Sequence, residues 1–158
     1  MRNDPARLAK LRRLLILDSS PERAFDDITR LFANSLGVPM TMVNFLDNGR
    51  DWFKSCVGLP YRESPAETSI CEAFFKYSDD MIIAQDTLLD PRFSSHTLVV
   101  NAPFIRFYAA ARLTVDGHTL GTLCAYDLQP RQVSAEQVQN LRALATAVVE
   151  LLDQRIAA

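Results

Sequence analysis

The chain has 158 residues, of which 48% are hydrophobic and 23% charged, with a formal net charge of −2 at neutral pH. That length is one domain's worth of protein, and the apolar fraction can offset the chain entropy lost on folding, so global disorder is excluded. The 17 Lys and Arg are scattered rather than gathered into a run, no apolar stretch approaches the about 20 residues that cross a bilayer, and Met1 to Pro5 leads into a charged helical pattern without a secretory h-region. A cytoplasmic protein with no nucleic-acid or membrane partner is expected.

From Pro5 to Leu17, Leu8, Leu11, Leu14 and Leu15 recur at helical spacing and predict a short amphipathic helix occupying residues 1–17. Ser19 and Glu22 have capping-box spacing and Pro21 suits a first turn, so a second helix follows with Phe25, Ile28, Leu31, Phe32 and Leu36 as its apolar stripe, ended by Gly37. The period then changes to two: Met40, Met42, Asn44 and Leu46 share one face of a strand, and Thr41, Val43 and Phe45 the other. Asn48-Gly49 tolerates the positive φ angles of a tight turn, and Trp52 to Val57 has strand composition, which predicts a β-hairpin.

Thr68 to Tyr77 reads as a helix with Ile70, Ala73, Phe74 and Tyr77 on one side, and Met81 to Ala84 as a short strand. Asp86 to Pro103 has little periodicity, and a connection of that length in a compact domain is either functional or partly helical. Phe104 to Val115 and His118 to Leu128 form a second hairpin about Asp116-Gly117. A final helix begins at Ser134, with Gln137 at capping-box spacing, and its stripe of Leu141, Leu144, Val148, Leu151 and Leu152 continues to the end of the chain at residue 158. Adjacent hairpins with segregated helices predict an α+β class built on an antiparallel sheet over residues 1–158.

The three cysteines, Cys56, Cys71 and Cys124, have no C-x-x-C spacing, and His96 and His118 stand alone, so no metal site is expected. Two isolated histidines and five scattered glycines also argue against triad hydrolysis and a phosphate-cradling loop.

Several segments, in order, resemble the GAF sensor domain of bacterial signalling proteins. They are Leu17-Asp18-Ser19-Ser20-Pro21-Glu22, Trp52-Phe53-Lys54-Ser55 with Val57-Gly58-Leu59, and Ser69-Ile70-Cys71. Asp90-Pro91-Arg92-Phe93, Ile105-Arg106-Phe107-Tyr108-Ala109 and Gly121-Thr122-Leu123-Cys124 complete the set. The resemblance implies a central antiparallel sheet of five or six strands, the first and last helices packed on one face, and a pocket on the other roofed by the middle helix and the irregular segment. The family's cyclic-nucleotide marker is not found, and neither Cys71-Glu72 nor Cys124-Ala125 matches the Cys-His that attaches a bilin, so no covalent bilin is expected. A branch that reduces free methionine sulfoxide with paired cysteines stays open, although its aromatic and cysteine-rich segments are missing.

The candidate site residues each carry two readings. Arg106, between apolar strand residues, can bind a ligand carboxylate or phosphate bidentately, or form an internal ion pair with Asp86 or Asp90. Ser69 and Cys71, near the start of the middle helix, suit an anion or a reactive thiolate, or are a helix cap and a small core residue. Asp90 is a pocket group or a turn residue bonded to its own backbone. Trp52, Tyr108 and Tyr126 line a pocket or pack the sheet.

The leading expectation is a non-catalytic module that binds an unidentified small molecule and passes its state through the terminal helices, as a homodimer formed by those helices. It would stand alone or serve as the front piece of a longer signalling protein with an output domain. The alternative is a thiol redox sensor, or a methionine-sulfoxide-reductase-like enzyme, using Cys71 with Cys124.

Overall fold

The computed structural model describes residues 1–157. A six-stranded antiparallel sheet lies at its centre in the order β3-β2-β1-β6-β5-β4. The strands are β1 (Met40–Leu46), β2 (Arg50–Val57), β3 (Glu63–Pro65), β4 (Met81–Ala84), β5 (Phe107–Val115) and β6 (His118–Asp127). The helices are α1 (Pro5–Arg13), α2 (Arg23–Leu36), α3 (Ala73–Lys76), α4 (Thr97–Val100) and α5 (Ala135–Ala157). This is the α+β arrangement that the hairpin and helix patterns predict.

Alternation along the strands divides the core in two. Val43, Phe45, Trp52 and Leu123 face α2 and α5, where Phe25, Phe32, Val148 and Leu152 cover them. Met42, Phe53, Tyr108, Cys124 and Tyr126 face the opposite side. Val148 and Leu152 are fully buried, and each contributes about 1.5–3 kcal/mol of apolar transfer.

One irregularity sets which side chains reach which side. Val43 pairs with Ser55 and Asn44 with Phe53, so Lys54 is an extra, unpaired residue in β2. This is a β-bulge. Lys54 and Ser55 therefore both face the helices: Lys54 Nζ donates to Ser19 Oγ at 2.7 Å, and Ser55 Oγ donates to Asp26 Oδ1 at 2.6 Å. Asp51, Phe53 and Cys56 are left for the other side.

The local signals held where their geometry is short-range. Gly37 ends α2 at φ 68°, with its N–H on the Ala33 carbonyl. Asp116 and Gly117 both take positive φ (49° and 79°) in the β5–β6 turn. At the start of α5, Gln137 N–H donates to Ser134 Oγ at 3.1 Å while Ser134 N–H donates to Gln137 Oε1 at 2.9 Å, the reciprocal pair of a capping box.

Other expectations need correction. The first helix stops at Arg13 rather than Leu17, because Leu15 turns to φ 52° and points out of the core at 79% exposure. Ser19 and Glu22 make no capping box: Glu22 is the N-cap residue without a side-chain cap bond, its carboxylate being taken by Lys54 and Arg155. Leu31 is exposed rather than part of the buried stripe. Asn48-Gly49 does lie in a hairpin turn, but neither residue takes positive φ, the turn being closed by Asp47 N–H donating to the Arg50 carbonyl at 2.9 Å.

The middle helix is not continuous. Ala66–Thr68 and Ile70–Glu72 are separate 3-10 turns, parted by an extended Ser69 (ψ 120°), and only Ala73–Lys76 is α-helical. Arg106 precedes β5 rather than lying in it.

Candidate functional site

Between the sheet and the segments that cross its α3 side lies a cavity of about 460 Å³, within the range of small-molecule sites. Met40, Met42 and Phe53 form its floor, Ile70, Leu98 and Ile105 its roof, with Tyr126 at one side. β1 and β2 contribute floor residues because 40, 42, 44 and 51, 53 fall on one face either side of the bulge. The roof follows from α4, which carries Leu98, and from the extended Ser69, which brings Ile70 over the sheet.

At one end of this apolar space is a buried polar cluster. Asn44 is 1% exposed, Asp51 3% and Ser69 7%. Asn44 Nδ2 donates to Asp51 Oδ2 at 3.0 Å, and Ser69 Oγ donates to the same oxygen. From outside the cavity Arg2 closes the cluster: its Nη1 lies 2.9 Å from Asp51 Oδ1 and donates to the Asp47 carbonyl at 2.8 Å, while its Nε donates to Glu72 Oε2 at 2.8 Å. Burial pushes Asp51 above the ordinary carboxylate range, against the pull of Arg2, Ser69 and Asn44.

Arg7 stands behind Arg2. Its Nε and Nη2 donate to the Arg2 carbonyl, and both guanidiniums lie over the Phe75 ring, at 5.6 Å for Arg2 and 5.0 Å for Arg7. Burial, with Arg2 adjacent, lowers the Arg7 pKa to about 10. The segment ahead of α1 is thus fastened to the underside of the cavity.

Deeper under the roof, Cys71 Sγ lies 3.0 Å from Tyr108 Oη, 3.2 Å from Thr122 Oγ1 and 3.5 Å from Tyr126 Oη. Thr122, Cys124 and Tyr126 share one face of β6, so Cys71 overhangs Cys124. Burial drives the Cys124 thiol well above its ordinary value. Cys71 is the more acidic of the two: burial opposes its thiolate, and hydrogen bonds from Cys124, Thr122 and Tyr108 favour it. Burial likewise raises both tyrosines. Both cysteines are fully buried, and Cys56 alone is partly accessible.

The residues picked out from the sequence divide between these surroundings. Ser69 and Tyr126 line the cavity, with Cys71 and Tyr108 packed behind Tyr126. Trp52 does not reach it: one residue out of phase with Asp51 and Phe53, it belongs to the helix-side core. Asp86, Asp90 and Arg106 lie apart from it as well. Arg106 Nη2 donates to Asp86 Oδ2 at 3.0 Å, and Asp90, held below its usual pKa by the Arg92 guanidinium, accepts from Arg92 Nη2 at 2.7 Å. The Arg106–Asp86 contact is the internal ion pair set beside ligand binding in the sequence reading, and Asp90 Oδ1 also accepts from the Arg92 backbone N–H at 3.0 Å, as a turn residue would. Sequence reasoning missed Asn44, Asp51 and Arg2 as site residues; an Asn on the Met40-Met42 face of a buried strand was the available signal.

Residues 20–151 match the GAF domain family. Over 136 residues the chain is 33% identical to cyclic di-GMP phosphodiesterase PA2567 of Pseudomonas aeruginosa, a match covering 85% of this chain and 23% of that protein. The chain therefore spans about a quarter of that relative's length. The fold is similar to that of the GAF domain of an Acinetobacter phosphoenolpyruvate-protein phosphotransferase, with TM-score 0.68, 15% identity, and coverage of 98% of this chain and 97% of that one. It is also similar to free methionine-R-sulfoxide reductase from Neisseria meningitidis, with TM-score 0.66, 14% identity, and coverage of 94% and 89%. Among the described residues no helix is long and apolar enough to cross a membrane. The chain belongs to the GAF domain family.

Proposed function

We propose that this chain is a non-catalytic, cytoplasmic sensory domain of bacterial signal transduction, acting as a homodimer, in which a small molecule held in the cavity biases the terminal helices. The observation that carries this reading is that both terminal segments are connected by ion pairs to β2, the strand that contributes Asp51 and Phe53 to the cavity, Arg2 directly and Arg155 through Glu22. Arg2, ahead of α1, meets Asp51. Arg155, in the last turn of α5, donates to Glu22 Oε1 and Oε2 at 2.9 and 2.7 Å, and Lys54 of β2 pairs with the same carboxylate. Burial opposes ionisation of Glu22, but Lys54 and Arg155 hold its pKa below the ordinary value.

A ligand shifts such a system only by binding one arrangement of these contacts better than another. The relative from P. aeruginosa, four times longer than the matched segment, supports an output function carried by other parts of a signalling protein. Half-buried Leu144 and Leu151 on α5, with exposed Leu31 on α2, supply apolar surface for a second copy.

Native mass spectrometry before and after gentle denaturation tests the reading. A dimer that releases an extra mass is the expected result. Bare monomers, with amide exchange in α1 and α5 unmoved by a metabolite extract, would overturn it.

The adjacency of Cys71 and Cys124 favours a second reading, thiol redox chemistry. Burial predicts against it: iodoacetamide is expected to modify one equivalent, at Cys56, in the folded protein, and Cys71 and Cys124 only after unfolding. Faster alkylation of Cys71 than of Cys56 would move the assignment to the thiol reading.

A further inference from the structure

The polar cluster also carries information about what the cavity takes, given that it is a ligand site as proposed above. Asn44 Oδ1 is a buried acceptor with no hydrogen-bond partner, on a residue that lines the cavity. Its identity as oxygen is fixed by the neighbour: Asp51 Oδ2 already accepts from Ser69, so the amide atom facing that carboxylate is the donor Nδ2. Leaving such an acceptor unpaired is destabilising by about 1–3 kcal/mol, and native proteins rarely tolerate it without a purpose.

The remaining lining decides the charge of the occupant. Asp51 and Glu63 are acidic, and no Arg, Lys or His of the described residues lines the cavity. Arg106, next to Ile105 of the roof, and Arg92 are engaged by Asp86 and Asp90. An anion entering here would lose its hydration with no countercharge. Nor does the site call for a cation, because Asp51 already faces Arg2. What remains is a slot walled by Met40, Met42, Phe53, Leu98 and Ile105 with two buried acceptors lacking a hydrogen bond at its end, Asp51 Oδ1, which faces the Arg2 charge, and Asn44 Oδ1, which faces none.

We infer that the cavity binds a neutral, flat, largely apolar molecule that donates an N–H to Asn44 Oδ1, of the class of N–H heteroaromatics and cyclic amides, and that it rejects carboxylates and phosphates. Asp51 and Ser69 are positioning residues: they hold the amide so that its oxygen points to the ligand, and Arg2 holds Asp51.

Three matched probe sets test this by saturation-transfer NMR and thermal shift on the full chain: indole and 2-quinolone, their N-methyl forms, and indole-3-carboxylate with quinolone-4-carboxylate. The N–H forms are expected to bind about tenfold tighter than the N-methyl forms, the worth of one hydrogen bond, and the carboxylates at least as much more weakly. Asn44→Leu should bring the N–H to N-methyl ratio close to one. If that variant fails to fold, the wild-type ratio decides alone. Equal binding of N-methyl or carboxylate probes would overturn the inference while leaving a ligand-binding sensor intact. No binding by any probe of the three sets would overturn the inference as well, and the sensor reading would still be decided by the native mass spectrometry and amide exchange above.

Discussion

Gly121→Ala is expected to destabilise the domain by about 3 kcal/mol or more, a drop of roughly 10 °C in melting temperature for a domain of this size. Gly121 of β6 pairs with Phe45 of β1, and a β-carbon there would overlap the Asn44 carbonyl oxygen while lying 3.1 Å from its carbon and 3.2 Å from Phe45 Cα. These are backbone atoms in the middle of the sheet, so no side-chain rotation relieves the overlap. β1 would have to move away from β6, carrying Asn44 and the cavity floor with it. Gly49→Ala is the matched control: its β-carbon meets nothing within 4 Å, and the substitution should be neutral or raise stability by a few tenths of a kcal/mol. Urea denaturation of the two variants measures the difference, and a Gly121→Ala loss below about 1 kcal/mol would mean that the two strands separate freely.

The second large effect is at the other side of the same cluster. Arg2→Met is expected to cost about 3 kcal/mol at neutral pH, because it leaves Asp51 as a buried carboxylate without its countercharge. The sign of the pH dependence follows from Asp51. Burial already raises its pKa above the ordinary 3.8, and removing Arg2 takes away an opposing influence, so the folded variant holds the Asp51 proton more tightly than the unfolded chain does. Its stability deficit is therefore full above the raised pKa and shrinks as pH falls through that value toward 3.8. The double variant Arg2→Met/Asp51→Asn, which needs no proton, should lose this dependence. Denaturation at pH 7 and at pH 4.5 reads it directly, and equal deficits at the two values would show that Arg2 acts through Glu72 and Phe75 instead.

These two variants bracket what the sequence could and could not convey. The β5–β6 hairpin, the Gly37 stop and the Ser134–Gln137 cap were legible because each is settled within a few residues of chain. So was the α+β arrangement, which needs only the order of periods. The middle helix was misread because its periodicity is real but Ser69 is drawn into an extended conformation toward Asp51, eighteen residues away. Trp52 could not be given a side because a strand's period of two gives no absolute phase; the facing set becomes known only once β2 is paired. Arg2 was invisible as a site residue for the same kind of reason. Its partners at 47, 51 and 72 lie across two turns and a strand, and nothing local marks an arginine near a terminus as buried.

The unpaired Lys54 decides which layer the last residues of β2 enter. A β-strand with one residue too many keeps two reading frames, one before and one after the insertion, and the frames differ by a half-turn. Deleting Lys54 would leave Cys56 and Val57 on their present sides, because Phe53 and Ser55 would then alternate as Asn44 and Val43 opposite them do; a strand that kept the residue but lost the bulge would send Cys56 among the helices and Val57 toward the cavity. A relative with a one-residue gap here would keep the same pocket floor and lose only the lysine, whereas one of equal length with a flat strand would have a differently composed pocket behind an unchanged fold, so specificity in such domains can change by a frame shift in space as well as by substitution.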